Sequence, residues 1–297
     1  MWRKDVKVYK TNYCKTFKEN RRLIYRPRRD GDYMPTTTKL DKGVIKRGII
    51  TPDKHFPLHS KEAVDVVCQA IRIIKPDFYV DLGDTGEFSS VSHWQWKKRK
   101  RPPLEYQLPR VYEDIGAVNE GMDIIDEALD KVRCKEKYFC EGNHEQWLNS
   151  FAEENPYLQG LTVPDALLLK QRGFEYYPNG KYLKLGNLWY YHGNHYSGVA
   201  HARNHVMKLG CNLIYGHHHD LQMHSVTHID GPKSAWSLGC LKDMSDEANG
   251  WLGNRKTNWA HAFAVVDYFA DGNFTVHIVN IIDGRTSLWG KEINAKV

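Results

Sequence analysis

The chain lacks several features that would place it quickly. It has no Cys-x-x-Cys pair: its six cysteines (Cys14, Cys68, Cys134, Cys140, Cys211, Cys240) are scattered, which argues against a thiolate zinc knuckle and for reduced, mostly buried thiols. No apolar run approaches the roughly 20 residues that span a bilayer, so a membrane role is not expected. The first residues, Met1-Trp2-Arg3-Lys4, carry no apolar signal core, and a cytoplasmic location is expected. Internal repeats and low-complexity tracts are missing as well. What remains is a chain of 297 residues with 41% apolar and 26% charged side chains, enough for a full α/β core.

Charge is unevenly spread. Residues 1–48 hold 15 Lys/Arg against 5 Asp/Glu, whereas the rest holds 27 against 31. The basic excess therefore belongs to an N-terminal extension, residues 1–45, ahead of a main domain at 46–297. Such an arm either meets an anionic partner, nucleic acid first, or serves as a solvated tail.

Along the main domain, a strand near 45–51 precedes a helix with Ser60 as N-cap and Val64, Val67, Ile71 and Ile74 on one face, stopped by Pro76. Phe78 to Leu82 reads as a second strand. Strand, helix, strand at this spacing is a βαβ unit with a parallel pair, and ligands collect at the carboxyl ends of such strands. Residues 86–110 read as an irregular insertion, in which Trp94 and Trp96 lie beside Lys97, Lys98, Arg99, Lys100 and Arg101. Exposed rings next to cations suit stacking and phosphate contact, although tryptophans covering the domain's own surface fit the same pattern. Ile115, Val118, Met122, Ile125, Leu129 and Val132 then mark a long amphipathic helix. Further strands are expected at 137–141, 182–185, 188–191, 212–215, 222–229, 234–238, 260–269 and 273–281. Short helices are expected at 144–152, 165–171 and 198–209.

Polar residues gather where these strands stop: Asp53-x-His55, Gly83-Asp84, Gly142-Asn143-His144-Glu145, His192-Gly193 and Gly216-His217-x-His219. Carboxylate, amide and imidazole donors together suit two borderline divalent ions, Mn²⁺ foremost, with Fe²⁺ and Zn²⁺ as alternatives. Strand alternation would turn Asp53 with His55, and His217 with His219, toward one side, leaving His218 turned away. The recurring glycines would let the backbone bend where each strand stops.

This ordered series, with Glu87 completing Gly83-Asp84-x-x-Glu87, resembles the calcineurin-like metallophosphoesterases over residues 51–219. The resemblance implies a four-layer α/β/β/α sandwich of two mixed sheets flanked by helices. It further implies Asp53, His55 and His219 on one metal ion, Asn143, His192 and His217 on a second, and Asp84 bridging both. His144 would be the general acid with Glu145 supporting it, and a hydroxide bridging the metals would attack the phosphorus. His195 is a candidate substrate contact.

Within that family, phosphoprotein phosphatases place Arg after the second block and before the third, and this chain has none there. DNA-repair nucleases carry His where Glu87 stands. The expectation is a phosphodiesterase acting on DNA or RNA. A small-molecule phosphomonoesterase or nucleotide phosphodiesterase is the alternative, and a non-catalytic scaffold the reading from another class.

Overall fold

The computed structural model describes residues 46–297 apart from Lys98, Gln159 and Asn254. The basic extension at 1–45 therefore lies outside the described residues.

Parallel strands β1 (Lys46–Thr51), β2 (Phe78–Asp81), β3 (Glu136–Cys140) and β4 (Phe174–Tyr177) pair in sequence order, and two antiparallel strands, β10 (His261–Tyr268) and β11 (Phe274–Ile281), extend the sheet beside β1. A second sheet has the order β5-β6-β7-β9-β8, from β5 (Leu183–Leu185), β6 (Leu188–Tyr191), β7 (Leu213–Tyr215), β8 (Leu221–Val226) and β9 (Lys233–Leu238). A hairpin, β12 (Arg285–Leu288) with β13 (Lys291–Asn294), closes the chain. The helices are α1 (Lys61–Ile74), α2 (His93–Trp96), α3 (Leu104–Lys131), α4 (Asn143–Glu154), α5 (Val163–Ala166) and α6 (His201–Leu209).

Period-two alternation explains the layering. On β1 and β2, Ile49 and Tyr79 join Val67, Ile71, Val118 and Ile125 of α1 and α3 in one apolar cluster. Their neighbours Ile50, Phe78 and Val80 face the other way, against Leu188, Tyr190, Ile214 and Leu238 of the second sheet. On that sheet Tyr191, Leu213 and Tyr215 turn outward and meet Val206 of α6. Three apolar interfaces separate four layers, helix, sheet, sheet, helix. This is the α/β/β/α sandwich of two mixed sheets.

Ser60 caps α1 as its sequence predicts: its hydroxyl accepts from the Ala63 amide. The long helix departs from expectation. It begins at Leu104, runs 28 residues and carries Pro109 inside its second turn. The apolar stripe begins only at Val111 because the first turns lie at the surface, where Tyr106 is exposed. The insertion is thus largely helical: a 3-10 turn at Ser89–Val91, then α2, then the head of α3. Strands β4, β12 and β13 had no clear signal in the sequence.

Candidate metal centre

The carboxyl ends of five parallel strands deliver the site. Asp53 and His55 follow β1, Asp84 follows β2, Asn143 and His144 open α4 after β3, His192 follows β6, and His217 and His219 follow β7. Two of these strands belong to the second sheet and three to the first, so the site lies where the sheets' ends meet.

Within it, Asp53, His55 and His219 bring ligating atoms within 4.8 Å of one another, and Asp84, His192 and His217 do the same. The Nε2 atoms of His55 and His219 are 3.1 Å apart. Asp84 Oδ2 stands between the trios, 4.0 Å from His55 Nε2 and 3.2 Å from His192 Nε2. Asn143 Oδ1 lies 3.0 Å from His192 Nε2. Every ligand-type residue expected from the five blocks is thereby brought to one place.

The residues fit divalent ions on hydrogen-bonding grounds. His192 Nδ1 donates to the Leu82 carbonyl at 2.9 Å, which leaves Nε2 a bare lone pair. That lone pair faces two oxygen acceptors, Asn143 Oδ1 and Asp84 Oδ2, at 3.0 and 3.2 Å, and stands 3.1 Å from His217 Nδ1. Acceptors that converge at such distances repel unless a cation sits among them. Burial opposes charge on His192, but Asp84 and Asp53 pull its pKa up to about 9, so a proton is drawn to the place of a cation. Burial holds His217 down at about 3 and His55 at about 4, which keeps both neutral and able to ligate. Asp84, although buried, is held well below the usual carboxylate range by the charges of His192 and His144.

Backbone conformation corrects the expected reason for this geometry. His55, Asp84, His217 and His219 all have positive φ, at 55°, 46°, 71° and 63°. They lie beyond the strand ends, and left-handed turns, not the pleat, aim them at one point. Strain of this kind gathers at functional sites because the surroundings must hold it. His218 does turn away, its Nε2–H donating to the Tyr196 carbonyl at 3.1 Å and its ring stacking on His201 at 3.8 Å. The glycines act in two ways. Gly83 and Gly193 take positive φ as sharp bends require, whereas Gly142 and Gly216 leave room: a Cβ there would meet Asp84 Oδ1 at 2.2 Å and Asp53 Oδ2 at 2.1 Å.

Glu145 requires a second correction. It does not orient His144. Its buried carboxylate accepts four backbone N–H groups, from Asp84 (2.9 Å), Thr85 (2.8 Å), Gly86 (3.0 Å) and Gly142 (3.0 Å). Burial and the neighbouring Asp84 charge push its pKa up to about 8, against the pull of the Gly86 N–H and His192. The side chain ties the β2 loop to the start of α4. The partner of His144 is the Glu87 carbonyl, 2.7 Å from Nδ1, while the ring packs on Trp147 at 4.0 Å.

Glu87 is the residue that sequence reasoning undervalued. Its carboxylate lies 2.8 Å from His55 Nδ1 and 2.8 Å from Lys242 Nζ. Burial would raise its pKa, but His55, His144 and Lys242 bring it down to about 2. Lys242, four residues past β9, also sits at a strand's carboxyl end, and that position was the signal available for it. Asp81 holds the buried Lys54 at 2.9 Å and supports the β2 turn through Gly83 and Thr85.

Substrate candidates divide. Trp94, Lys97 and Arg99 line one open depression, with Lys97 Nζ 4.9 Å from the Trp94 ring centre. Trp96 is half-buried and its indole N–H donates to the Ser90 carbonyl, so it anchors the insertion instead of offering a free face. Lys98 lies outside the described residues. Exposed His195 is hydrogen-bonded to the Tyr182 hydroxyl at 2.8 Å. A further histidine group, His201, His205 and His218, is engaged with Tyr215, Asp220 and backbone carbonyls. The parallel stack of His201 on His218, with ring centroids 3.8 Å apart, braces the 216–219 turn.

The two-sheet sandwich, with these blocks gathered in order at its strand ends, is the arrangement that the sequence's resemblance to the calcineurin-like metallophosphoesterases implies. No family model matches the chain. It is similar to the gene 54 protein of Mycobacterium phage L5, with 24% identity over 267 residues that cover 83% of this chain and 98% of that protein. The gene 54 protein of Mycobacterium phage D29 is 23% identical over 266 residues, covering 82% and 97%. Solved structures similar to it include Vps29 from Entamoeba histolytica (14% identity, TM-score 0.44, covering 83% of this chain and 98% of that one). Vacuolar protein sorting 29 from Cryptosporidium parvum (14%, 0.45, 84% and 98%) and YfcE, a phosphoesterase from E. coli (15%, 0.37, 78% and 98%), are others. No helix among the described residues is long and apolar enough to cross a membrane.

Proposed function

We propose that this chain is a phosphoesterase working with two divalent ions, Mn²⁺ foremost, and that its substrates are phosphodiesters of DNA or RNA. The observation that carries the reading is Asp84 Oδ2 between two three-residue donor groups, one with His55 and the other with His192. Asp53, His55 and His219 would hold one ion, Asn143, His192 and His217 the other, and Asp84 both. Ions bound there supply charge neutralisation on the phosphate oxygens and a lowered pKa for water.

The chain's own groups account for the rest. With Nδ1 fixed on the Glu87 carbonyl, His144 offers only Nε2 to a substrate, and that atom is 3.9 Å from Asp84 Oδ2. A protonated ring held in this way delivers its proton to the leaving oxygen, and the packing on Trp147 limits its rotation. The exposed Trp94, Lys97 and Arg99 support nucleic acid as the substrate class, because stacking faces beside cations recognise bases and phosphates without regard to sequence.

The test is a panel with the full chain and added Mn²⁺: bis-p-nitrophenyl phosphate, p-nitrophenyl phosphate, and single- and double-stranded DNA and RNA. Cleavage of the diester and of at least one nucleic acid is expected. Hydrolysis of the monoester alone would replace the diesterase reading with a phosphomonoesterase. Failure to take up metal or to cleave anything would leave a scaffold.

A further inference from the structure

We propose that Trp251, Arg255 and Trp259 form a stacking platform for an unpaired base of single-stranded nucleic acid, placed beside the Asp53, His55 and His219 group. This rests on the phosphodiesterase reading above and names the form of substrate it takes.

The segment is tied directly to the metal centre. Ala260 N–H donates to the His219 carbonyl at 2.9 Å, Asn258 donates to Asp220 at 2.8 Å, and Trp259 pairs with Asp220 through a single β-bridge. These bonds set the Trp259 ring edge-on to His219, with centroids 4.6 Å apart. Trp251 lies one ring further out, 6.3 Å from Trp259, and is 66% exposed. The two indoles thus form a row that leads from His219 out to solvent and leaves an aromatic face on which a further ring can stack.

Charge identifies the ligand. From Ala248 to Ala260 the chain carries Arg255 and Lys256 and no acid. The Arg255 guanidinium sits 5.8 Å from the Trp251 ring centre, and its Nε–H is held by the Leu252 carbonyl. Aromatic faces with cations at their edge fit a base and the phosphate next to it. In a duplex both faces of a base are covered by its neighbours, so a platform of this kind selects unpaired strands. The segment is separate in sequence from the Trp94 depression and follows β9, not β2. It gives the Asp53, His55 and His219 group an aromatic and basic border.

The experiment compares binding of a thymidine 12-mer with an abasic 12-mer of equal phosphate count, using the full chain without added metal so that neither strand is cut. The wild type is expected to prefer the base-bearing strand by about 5- to 150-fold, the range for one stacked base. Trp251→Ala should erase most of that preference, and Trp251→Phe should restore part of it. Equal affinity for the two strands, or a preference that survives Trp251→Ala in full, overturns the proposal. Hydrolysis of bis-p-nitrophenyl phosphate by the Mn²⁺-loaded wild type is measured alongside. Base preference without hydrolysis sinks the esterase reading and keeps the platform, whereas hydrolysis without base preference does the reverse.

Discussion

His192 Nε2 stands 3.1 Å from His217 Nδ1, although the two residues leave different strands. With His192 Nδ1 spent on the Leu82 carbonyl, the contact is stable only with a proton or a metal ion between the rings. Below a pKa of about 9 the metal-free protein holds that proton, so the second ion must displace it. Calorimetric titration at pH 7.5 in buffers of different ionisation enthalpy should show about one proton released from this site. Affinity for the second ion should weaken as pH falls. His192→Ala should lower the metal content from two ions per chain to one, as elemental analysis would read.

Glu87 fixes His55 through Nδ1, and carboxylates in that position typically contribute 10- to 100-fold to metal affinity. Glu87→Gln should therefore weaken the first ion by roughly that factor. Its pKa is lowered on folding, so its contribution to stability is complete above the ordinary carboxyl range. The contribution is lost as pH falls toward about 2. The stability gap between wild type and Glu87→Gln should accordingly close in acid, as measured by urea unfolding at successive pH values.

His144→Ala should retain metal and lose about 10²- to 10⁴-fold in kcat on nucleic acid, whose leaving alkoxide needs a proton. The loss should be much smaller on bis-p-nitrophenyl phosphate, whose phenolate leaves without one. Equal losses on both substrates would remove His144 as the acid.

Glu145→Ala strips the acceptor from four buried N–H groups, each costing about 1–3 kcal/mol when left unpaired. A stability loss of at least about 3 kcal/mol is expected in denaturant unfolding. A role confined to orienting His144 would instead lower kcat at unchanged stability.

Lys97→Gln with Arg99→Gln should flatten the salt dependence of single-strand binding by about 1.4 in log–log slope, roughly 0.7 for each phosphate no longer neutralised. Arg101 is left in place because it pairs with Glu154. An unchanged slope would make the depression a solvated surface.

Much of this site is legible in the chain. The apolar runs ending at Thr51, Leu82, Cys140, Tyr191 and Tyr215, each followed by Asp, Asn or His, are local patterns, and local pattern determines where a parallel strand stops. The order of the blocks pointed to the fold class for the same reason. Tertiary structure decided what the polar groups do. His55, His217 and His219 converge through left-handed turns that no alternation rule supplies. Glu145 serves the β2 loop some 60 positions away, and Glu87, which reads as a mere departure, grips His55 and Lys242. Gly142 and Gly216 are needed for the space that Asp84 and Asp53 occupy. Periodicity is a property of neighbours in the chain, whereas hydrogen bonds and lone-pair convergence are set by residues that meet only once both sheets have packed.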